Sequence, residues 1–266
     1  MLLSSLKDWR ETAASLHRAT QVVAAIRVAV TDPLPNFLHL STTIRHDGLS
    51  TGPLSFGEVY LDFGAARIVH TPTQGQPIHF GLEGSNQASL TKALLDHLAA
   101  QGHAIEAAKN ESGHEAALND TTPFAVDPRI GADYATALYR IFTATARFRA
   151  RLFAPMTPIV VWPEHFDLSF LVFGAEKATE ESPHLNFGFA PYSDGIDRPY
   201  LYAYVWPLPA SGYSGVSLPP LVNLDTPGYG GPLVWYDDFA AMEDPEAFVE
   251  ATFLGIYRAL APLLTE

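Results

Sequence analysis

The clearest strand in the sequence is Tyr200-Leu201-Tyr202-Ala203-Tyr204-Val205-Trp206. Alternate side chains of a strand point to opposite faces, so the tyrosines and the tryptophan are predicted to share one face and the aliphatic residues the other. An aromatic face of this kind either binds a ligand or partner, or packs beneath a helix. The rest of the chain is interpreted around this strand.

The composition indicates a folded protein with a substantial core and an acidic character. Of the 266 residues, 47% are hydrophobic, and 29 acidic against 16 basic residues give a net charge of −13. A surface this negative repels phosphate groups, so neither nucleic acid nor an anionic membrane is an expected partner. The predicted partner is a small-molecule ligand.

Several classes of protein are excluded by what the sequence lacks. It contains no cysteine, which excludes disulfides, thiolate zinc sites and a cysteine nucleophile. It also lacks the motifs of P-loop nucleotide hydrolases, Rossmann dehydrogenases, zinc peptidases and serine hydrolases, and it indicates no particular cofactor. The N-terminus has no apolar signal-peptide core, and no apolar run reaches the ~18 residues of a membrane span, so we expect a cytoplasmic protein.

The N-terminal half is predicted to be a helix, a four-strand meander and a second helix. Apolar residues at helical spacing predict the first helix over 5–30, with Ser5 and Asp8 at its start. Alternating residues predict strands, and Gly102 is expected to end the second helix. The segments concerned are 37–44, 58–63, 67–70 and 77–82 for the strands and 85–101 for the helix.

The C-terminal half is predicted to repeat the order of helix, antiparallel strands and helix. Its first helix is expected to begin at Asp133, and its last at Pro245 after an Asp244 cap. Strands are predicted over 159–162, 167–173, 200–206 and 233–236, with a loop around His184 and Gly188. The predicted boundaries are 1–102, 103–131 for an irregular connection, and 132–266.

The fold class that follows is α+β, with antiparallel sheet backed by helices. The two halves form either one domain or two similar helix–strands–helix units packed together.

Several short motifs resemble those of a bacterial family catalogued as domain of unknown function 5996. They are Trp9-Arg10-Glu11-Thr12, Leu16-His17, Thr20-Gln21, Phe148-Arg149-Ala150-Arg151, Phe166-Asp167-Leu168-Ser169, Gly188-Phe189-Ala190-Pro191 and Tyr200 to Pro207. The resemblance spans nearly the whole chain and implies no activity, because none is established for the family. The chain departs from the family pattern at Val160, where members often carry a histidine, and at Ala190, where they carry a tryptophan.

The leading functional hypothesis is a small-molecule binding protein with an aromatic-lined pocket. His17 and Gln21 lie four residues apart, on one face of the predicted first helix. The aromatic strand supplies the rest of the pocket. The predicted ligand-binding residues are His17, Gln21, Trp162, Tyr202, Tyr204 and Trp206. The alternative is that the aromatic face is covered by a helix and belongs to the core.

A second hypothesis is a hydrolase or lyase. His165 and Asp167 lie two residues apart and share a face on an extended backbone, so they are candidate catalytic residues, as a base and the group that orients it. Together with His184 they are also candidate ligands of a divalent metal. The alternative is that Asp167 accepts hydrogen bonds at the strand start while His165 is a solvated loop residue.

Two further patterns remain open. The aromatic face is also suited to contact another protein, which would make the chain an assembly protein. Arg140, Arg147 and Arg151 lie along one side of the third predicted helix. They either bind an anionic ligand or form salt bridges with nearby acidic residues.

Overall fold

The computed structural model describes residues 2–106, 118–175, 178–224, 226–227 and 229–265. It confirms the α+β class, with two five-stranded antiparallel sheets and α-helices. The chain divides into two compact units. The N-terminal unit comprises Leu6–Tyr139 and Val161–Phe166, and the C-terminal unit comprises Met1–Ser5, Arg140–Val160 and Asp167–Glu266. Of the predicted connection 103–131, residues 107–117 lie outside the described residues.

The sheet of the N-terminal unit is a meander with strand order β1-β2-β3-β4-β5. Two helices, α1 and α2, belong to the same unit, and α1 packs on β2 and β3. The elements are α1 (Arg10–Val30), β1 (Thr43–Arg45), β2 (Gly48–Leu54), β3 (Gly57–Asp62), β4 (Arg67–Pro72), β5 (Ile78–Gly81) and α2 (Gln87–Ala100).

The first helix begins later than predicted. It starts at Arg10, and Trp9 at the N-cap position makes no side-chain capping bond, so the predicted start at Ser5 and Asp8 is wrong. The Trp9 indole is buried against Tyr134, with ring centroids 4.5 Å apart. The helix therefore begins at a buried indole and without a capping side chain.

The region before β3 differs most from the prediction. The first half of the strand predicted over 37–44 lies in a 3-10 segment, Pro35–Leu40, in which Asn36 and Phe37 have φ values of 56° and 54°. The end of the predicted strand is part of β1. A left-handed backbone cannot continue an extended strand. The prediction also missed β2, which contains Gly52 and Pro53, two residue types that are rare inside strands. An irregularity in register between Ser50 and Pro53 accommodates them within the strand.

The second sheet has the strand order β10-β9-β8-β7-β6. Its strands are β6 (Val160–Trp162), β7 (Asp167–Phe173), β8 (His184–Ala190), β9 (Tyr200–Trp206) and β10 (Leu233–Trp235). The flanking helices are α3 (Pro128–Arg149), α4 (Tyr236–Ala240) and α5 (Pro245–Leu260). The predicted cap of the last helix is confirmed, since the Asp244 carboxylate accepts the Ala247 N–H at 3.0 Å.

One face of this sheet is an aromatic core. Phe187 on β8 lies between Phe148 of α3 and Phe253 of α5, with ring centroids 4.9 Å and 5.4 Å away. All three rings are fully buried. Because strand side chains alternate, this packing turns the polar residues of β8 to the opposite face.

One helical stretch, Pro245–Leu264, has the length and apolar composition of a membrane-spanning helix, with a mean hydropathy of 1.4. A single helix of this kind is weak evidence, because the core helix of a folded domain has the same properties. In this case Val249, Phe253 and Ile256 are buried within the unit. The buried residues of this stretch lie on one face of α5.

Candidate functional site

The candidate site is the face of the second sheet that carries the β9 aromatics. The antiparallel register places Gly188 beside Tyr202, Asn186 beside Tyr204 and His184 beside Trp206. Exposure rises along the strand, since Tyr202 is 7% exposed, Tyr204 is half-buried and Trp206 is 51% exposed. The face is therefore closed at one end and open to solvent at the other.

A hydrogen bond that passes over β8 anchors the closed end. The Tyr202 hydroxyl on β9 donates to Oδ2 of Asp167 on β7. Gly188 on β8 makes this bond possible, because a Cβ there would lie 2.4 Å from Cζ of Tyr202 and 2.5 Å from the Leu168 carbonyl oxygen. Burial, followed by the charge of Asp167, raises the pKa of Tyr202 well above its usual value. The Tyr202 hydroxyl therefore stays protonated, and it donates its hydrogen to Asp167.

Asn186 and Tyr204 form the next pair along the face. Nδ2 of Asn186 donates to the Tyr204 hydroxyl at 2.8 Å. Asn186 is only 7% exposed, and its Oδ1 has no hydrogen-bond partner among the described residues. Burial, and then the carboxylates of Asp167 and Glu180, raise the pKa of Tyr204. The pair therefore combines a buried carbonyl oxygen on Asn186 that accepts no hydrogen bond from the described residues with a protonated hydroxyl on Tyr204.

His184 extends this pair toward the open end. Its Nδ1 lies 2.8 Å from the Ser182 carbonyl oxygen, so Nδ1 carries the proton and donates. Its ring meets the Tyr204 ring edge to face, at 6.4 Å between centroids. Burial lowers the pKa of His184, so the ring is neutral at pH 7 and Nε2 is an acceptor.

The predicted catalytic and metal-binding residues do not assemble into a metal site. His165 is exposed and Asp167 accepts a hydrogen bond from Tyr202. His184 donates to the backbone carbonyl of Ser182, just before β8. No three His, Asp or Glu side chains are placed to hold a metal ion within the part of the chain that the structure describes. The three-ligand arrangement of His165, Asp167 and His184 therefore has no structural support.

Three predicted ligand-binding residues belong to the N-terminal unit, namely His17, Gln21 and Trp162. The His17 ring stacks on Phe166, and its Nε2 lies 2.9 Å from the Pro163 carbonyl oxygen. Gln21 instead accepts from the Gln87 side chain at 2.9 Å. Trp162 is half-buried at the end of β6. His17 and Gln21 thus bond to different segments of the unit rather than to each other.

A second buried polar cluster lies in the N-terminal unit. Nε2 of His70 is 3.3 Å from the Phe56 carbonyl oxygen, and its Nδ1 is 3.0 Å from Nε2 of His97. The consistent arrangement has His70 donating to Phe56 and accepting from His97. Burial, and then the proximity of His97 and His103, lowers the pKa of His70. Both nitrogens of this buried ring are therefore satisfied.

The arginine stripe resolves mainly into ion pairs. Arg140 binds both carboxylate oxygens of Glu246, through Nε at 2.5 Å and Nη2 at 2.6 Å, and Arg151 pairs with Glu250. A cavity of about 620 Å³ beside them is lined by two arginines and three acidic residues, Arg140, Arg147, Glu243, Asp244 and Glu246. The excess of carboxylates makes it a poor site for an anion.

The sequence interpretation missed two residues of the candidate site, Asn186 and Gly188. Both lie on β8, which was predicted to be a loop containing His184 and Gly188 after Pro183. The usable signal was the alternation of Leu185, Phe187 and Phe189, which identifies a strand with one apolar face.

Residues 3–265 match the model of a family of unknown function, DUF5996, so the chain belongs to that family and the predicted resemblance is confirmed. No curated protein and no solved structure matches the chain.

Proposed function

We propose that this member of the DUF5996 family is a small-molecule binding protein whose site is formed by Asn186, Tyr204 and His184 on the second sheet. The observation that supports it is the Asn186 carbonyl, which is buried and has no hydrogen-bond partner among the described residues. Buried polar groups are almost always hydrogen-bonded, and leaving one unpaired costs about 1–3 kcal/mol. A bound molecule that supplies the missing donor would recover this energy.

The surroundings of Asn186 support a binding site rather than a purely structural role. The rings of Tyr202 and Tyr204 lie nearly parallel, with 7° between their planes and 6.4 Å between their centroids. Flat apolar walls with a few convergent polar groups are typical of ligand sites. The half-exposed Trp206 marks the end from which a ligand would enter.

The two other functional hypotheses are less well supported. A catalytic acid or base must be available to its substrate, whereas the Asp167 carboxylate already accepts a hydrogen bond from the Tyr202 hydroxyl within the sheet. An assembly surface must be open to a partner. Of the β9 aromatics, only Trp206 is mostly exposed, so little of the aromatic face is available for such contact.

A thermal-shift screen of the full chain against a library of common metabolites tests this proposal. A compound that binds only the folded state increases the unfolding free energy, by about 2.7 kcal/mol at a concentration of a hundred times its Kd. The melting temperature rises as a result. We expect at least one compound to stabilise the protein and to lose this effect in Tyr204→Phe. The control is Tyr257→Phe, a half-buried phenol on α5 outside the site, which should respond as the wild type does. A screen without stabilising compounds, or with effects that survive in Tyr204→Phe, would contradict the proposal.

A further inference from the structure

We infer that the ligand presents to Asn186 and Tyr204 an uncharged group with a hydrogen-bond donor beside an acceptor, and that a primary carboxamide fits best. This inference rests on the proposed binding function and specifies its ligand. It follows from counting the hydrogen-bonding positions that the protein leaves unused at these two side chains.

Two donors and one acceptor remain at the pair, because the Asn186 amide has a second N–H besides the one that reaches Tyr204. The Asn186 amide uses one N–H to reach the Tyr204 oxygen at 2.8 Å, and its carbonyl oxygen has no partner among the residues described. The Tyr204 hydroxyl accepts this bond and retains its own hydrogen. The ligand group must therefore give a hydrogen bond to Asn186 and take one from Tyr204.

This count does not depend on how the amide is oriented. Amide oxygen and nitrogen atoms are often interchanged. If the Asn186 amide is turned over, the Tyr204 hydroxyl donates to its carbonyl. Both N–H groups of the amide and a phenol lone pair are then unused. Either orientation leaves two donors and one acceptor side by side.

Charged groups match this pattern poorly. A carboxylate has only acceptors and would leave the Asn186 carbonyl unpaired, whereas an ammonium has only donors and would leave the Tyr204 hydroxyl unpaired. The site also lies within the electrostatic influence of the Asp167 and Glu180 carboxylates, which further disfavours an anion. Burial adds a desolvation cost for either charge.

His184 narrows the choice among neutral groups. Its Nδ1 donates to Ser182, so Nε2 is a second acceptor on the same face, two residues from Asn186 along β8. A primary carboxamide has two N–H donors and one carbonyl acceptor. It can therefore donate to both Asn186 and His184 while accepting from Tyr204. A hydroxyl has only one hydrogen to give.

The test uses three small probes that share one ring and differ in the group attached to it. Benzamide, benzoate and benzylamine present a neutral carboxamide, an anion and a cation. Each is titrated into the full chain, and binding is followed by ligand-observed NMR and by thermal shift. We expect benzamide to bind saturably, and the two charged probes to bind at least about tenfold more weakly, as expected for one lost hydrogen bond.

Two variants connect binding to the assigned residues. Tyr204→Phe and Asn186→Leu should each weaken benzamide binding by about tenfold, while Tyr257→Phe should bind as the wild type does. Each variant is first checked for cooperative unfolding, so that a loss of binding is not a loss of fold. Equal binding of a charged probe, wild-type affinity in Tyr204→Phe, or no binding of benzamide would each overturn the inference.

The outcome is distinguishable from failure of the proposed function. If benzamide fails while a metabolite binds in a Tyr204-dependent manner, the binding function stands and only the carboxamide assignment is wrong. If benzamide fails and the metabolite screen also finds no Tyr204-dependent compound, both proposals are contradicted.

Discussion

The His70–His97 cluster and the Asn186–Tyr204 pair are both buried and polar, yet they differ in how completely they are satisfied. His70 is 1% exposed and uses both ring nitrogens within the N-terminal unit. Asn186, in the C-terminal unit, is 7% exposed, and its side-chain carbonyl has no hydrogen-bond partner among the described residues. A satisfied buried network stabilises the fold, whereas an unsatisfied one destabilises it until a partner is supplied. The comparison thus separates a structural cluster from a candidate binding site.

The largest effect is expected from filling the space that Gly188 leaves for the Tyr202 ring, next to the Asn186–Tyr204 pair. Gly188→Ala would place a Cβ within 2.5 Å of the Tyr202 ring and of the Leu168 carbonyl oxygen. We expect a loss of about 4 kcal/mol in unfolding free energy, from overpacking together with the broken Tyr202–Asp167 bond. Urea denaturation measures it. Gly230→Ala is the control, because a Cβ at Gly230 meets nothing within 4 Å, and a similar loss there would refute the steric explanation.

His70→Phe tests the satisfied cluster. The phenyl ring fills the space of the imidazole but leaves the Phe56 carbonyl and the His97 N–H without their partner. We expect a loss of about 2 kcal/mol in unfolding free energy, measured in urea. His79→Phe on the exposed strand β5 is the control and should change stability by about 0.5 kcal/mol or less. A neutral His70→Phe would mean that the cluster adds nothing to the fold.

Acid should weaken the fold through its buried histidines. Burial lowers the pKa values of His17, His70 and His184. Below the unfolded-state pKa of about 6.5, the unfolded chain binds protons that the folded protein refuses. Stability due to these groups is therefore complete above that pH and falls as the pH drops toward the folded-state values. Each histidine contributes at most about 1.4 kcal/mol per pH unit.

Urea unfolding between about pH 7.5 and pH 5.5 measures this dependence, above the range in which most carboxylates titrate. The slope should be smaller in His70→Phe, which lacks one of the three groups. Stability that stays constant or increases over this interval would contradict the assignment of neutral buried rings.

The smallest change in stability is expected at Asn186. Asn186→Leu replaces a partly unsatisfied amide with an apolar side chain of similar size, and the half-buried Tyr204 hydroxyl can still reach water. We expect the unfolding free energy to change by less than about 1 kcal/mol. A loss as large as that of His70→Phe would show that Asn186 is as well satisfied as the histidine cluster, and the comparison would no longer hold.

Strong local patterns predicted much of the fold. The alternation at Tyr200–Trp206 gave the bounds of β9, and the segment Asp167–Phe173, apolar on both faces, gave those of β7. The sequence Asp244-Pro245 located the start of α5. In these segments, intrinsic preference and tertiary packing agree, so a short stretch of sequence contains the needed information.

The failures occur where a distant contact overrides local preference. Gly188 and Asn186 favour turns, yet they lie within β8 because Tyr202 occupies the space above Gly188 and Tyr204 bonds to Asn186. Asn36 and Phe37 adopt left-handed conformations that their neighbours in sequence do not indicate. The candidate site was predictable only in part, since Tyr204 was identified from its strand whereas Asn186 depends on the register of two strands.

Gly188 affects how β7, β8 and β9 separate when the second sheet opens locally. Because the Tyr202–Asp167 bond passes over β8, it joins β9 directly to β7. Neither β7 nor β9 can separate from β8 without also breaking the Tyr202–Asp167 hydrogen bond. In a hydrogen-exchange experiment, the amides of β7, β8 and β9 should therefore exchange through one shared opening, as a single cooperative unit.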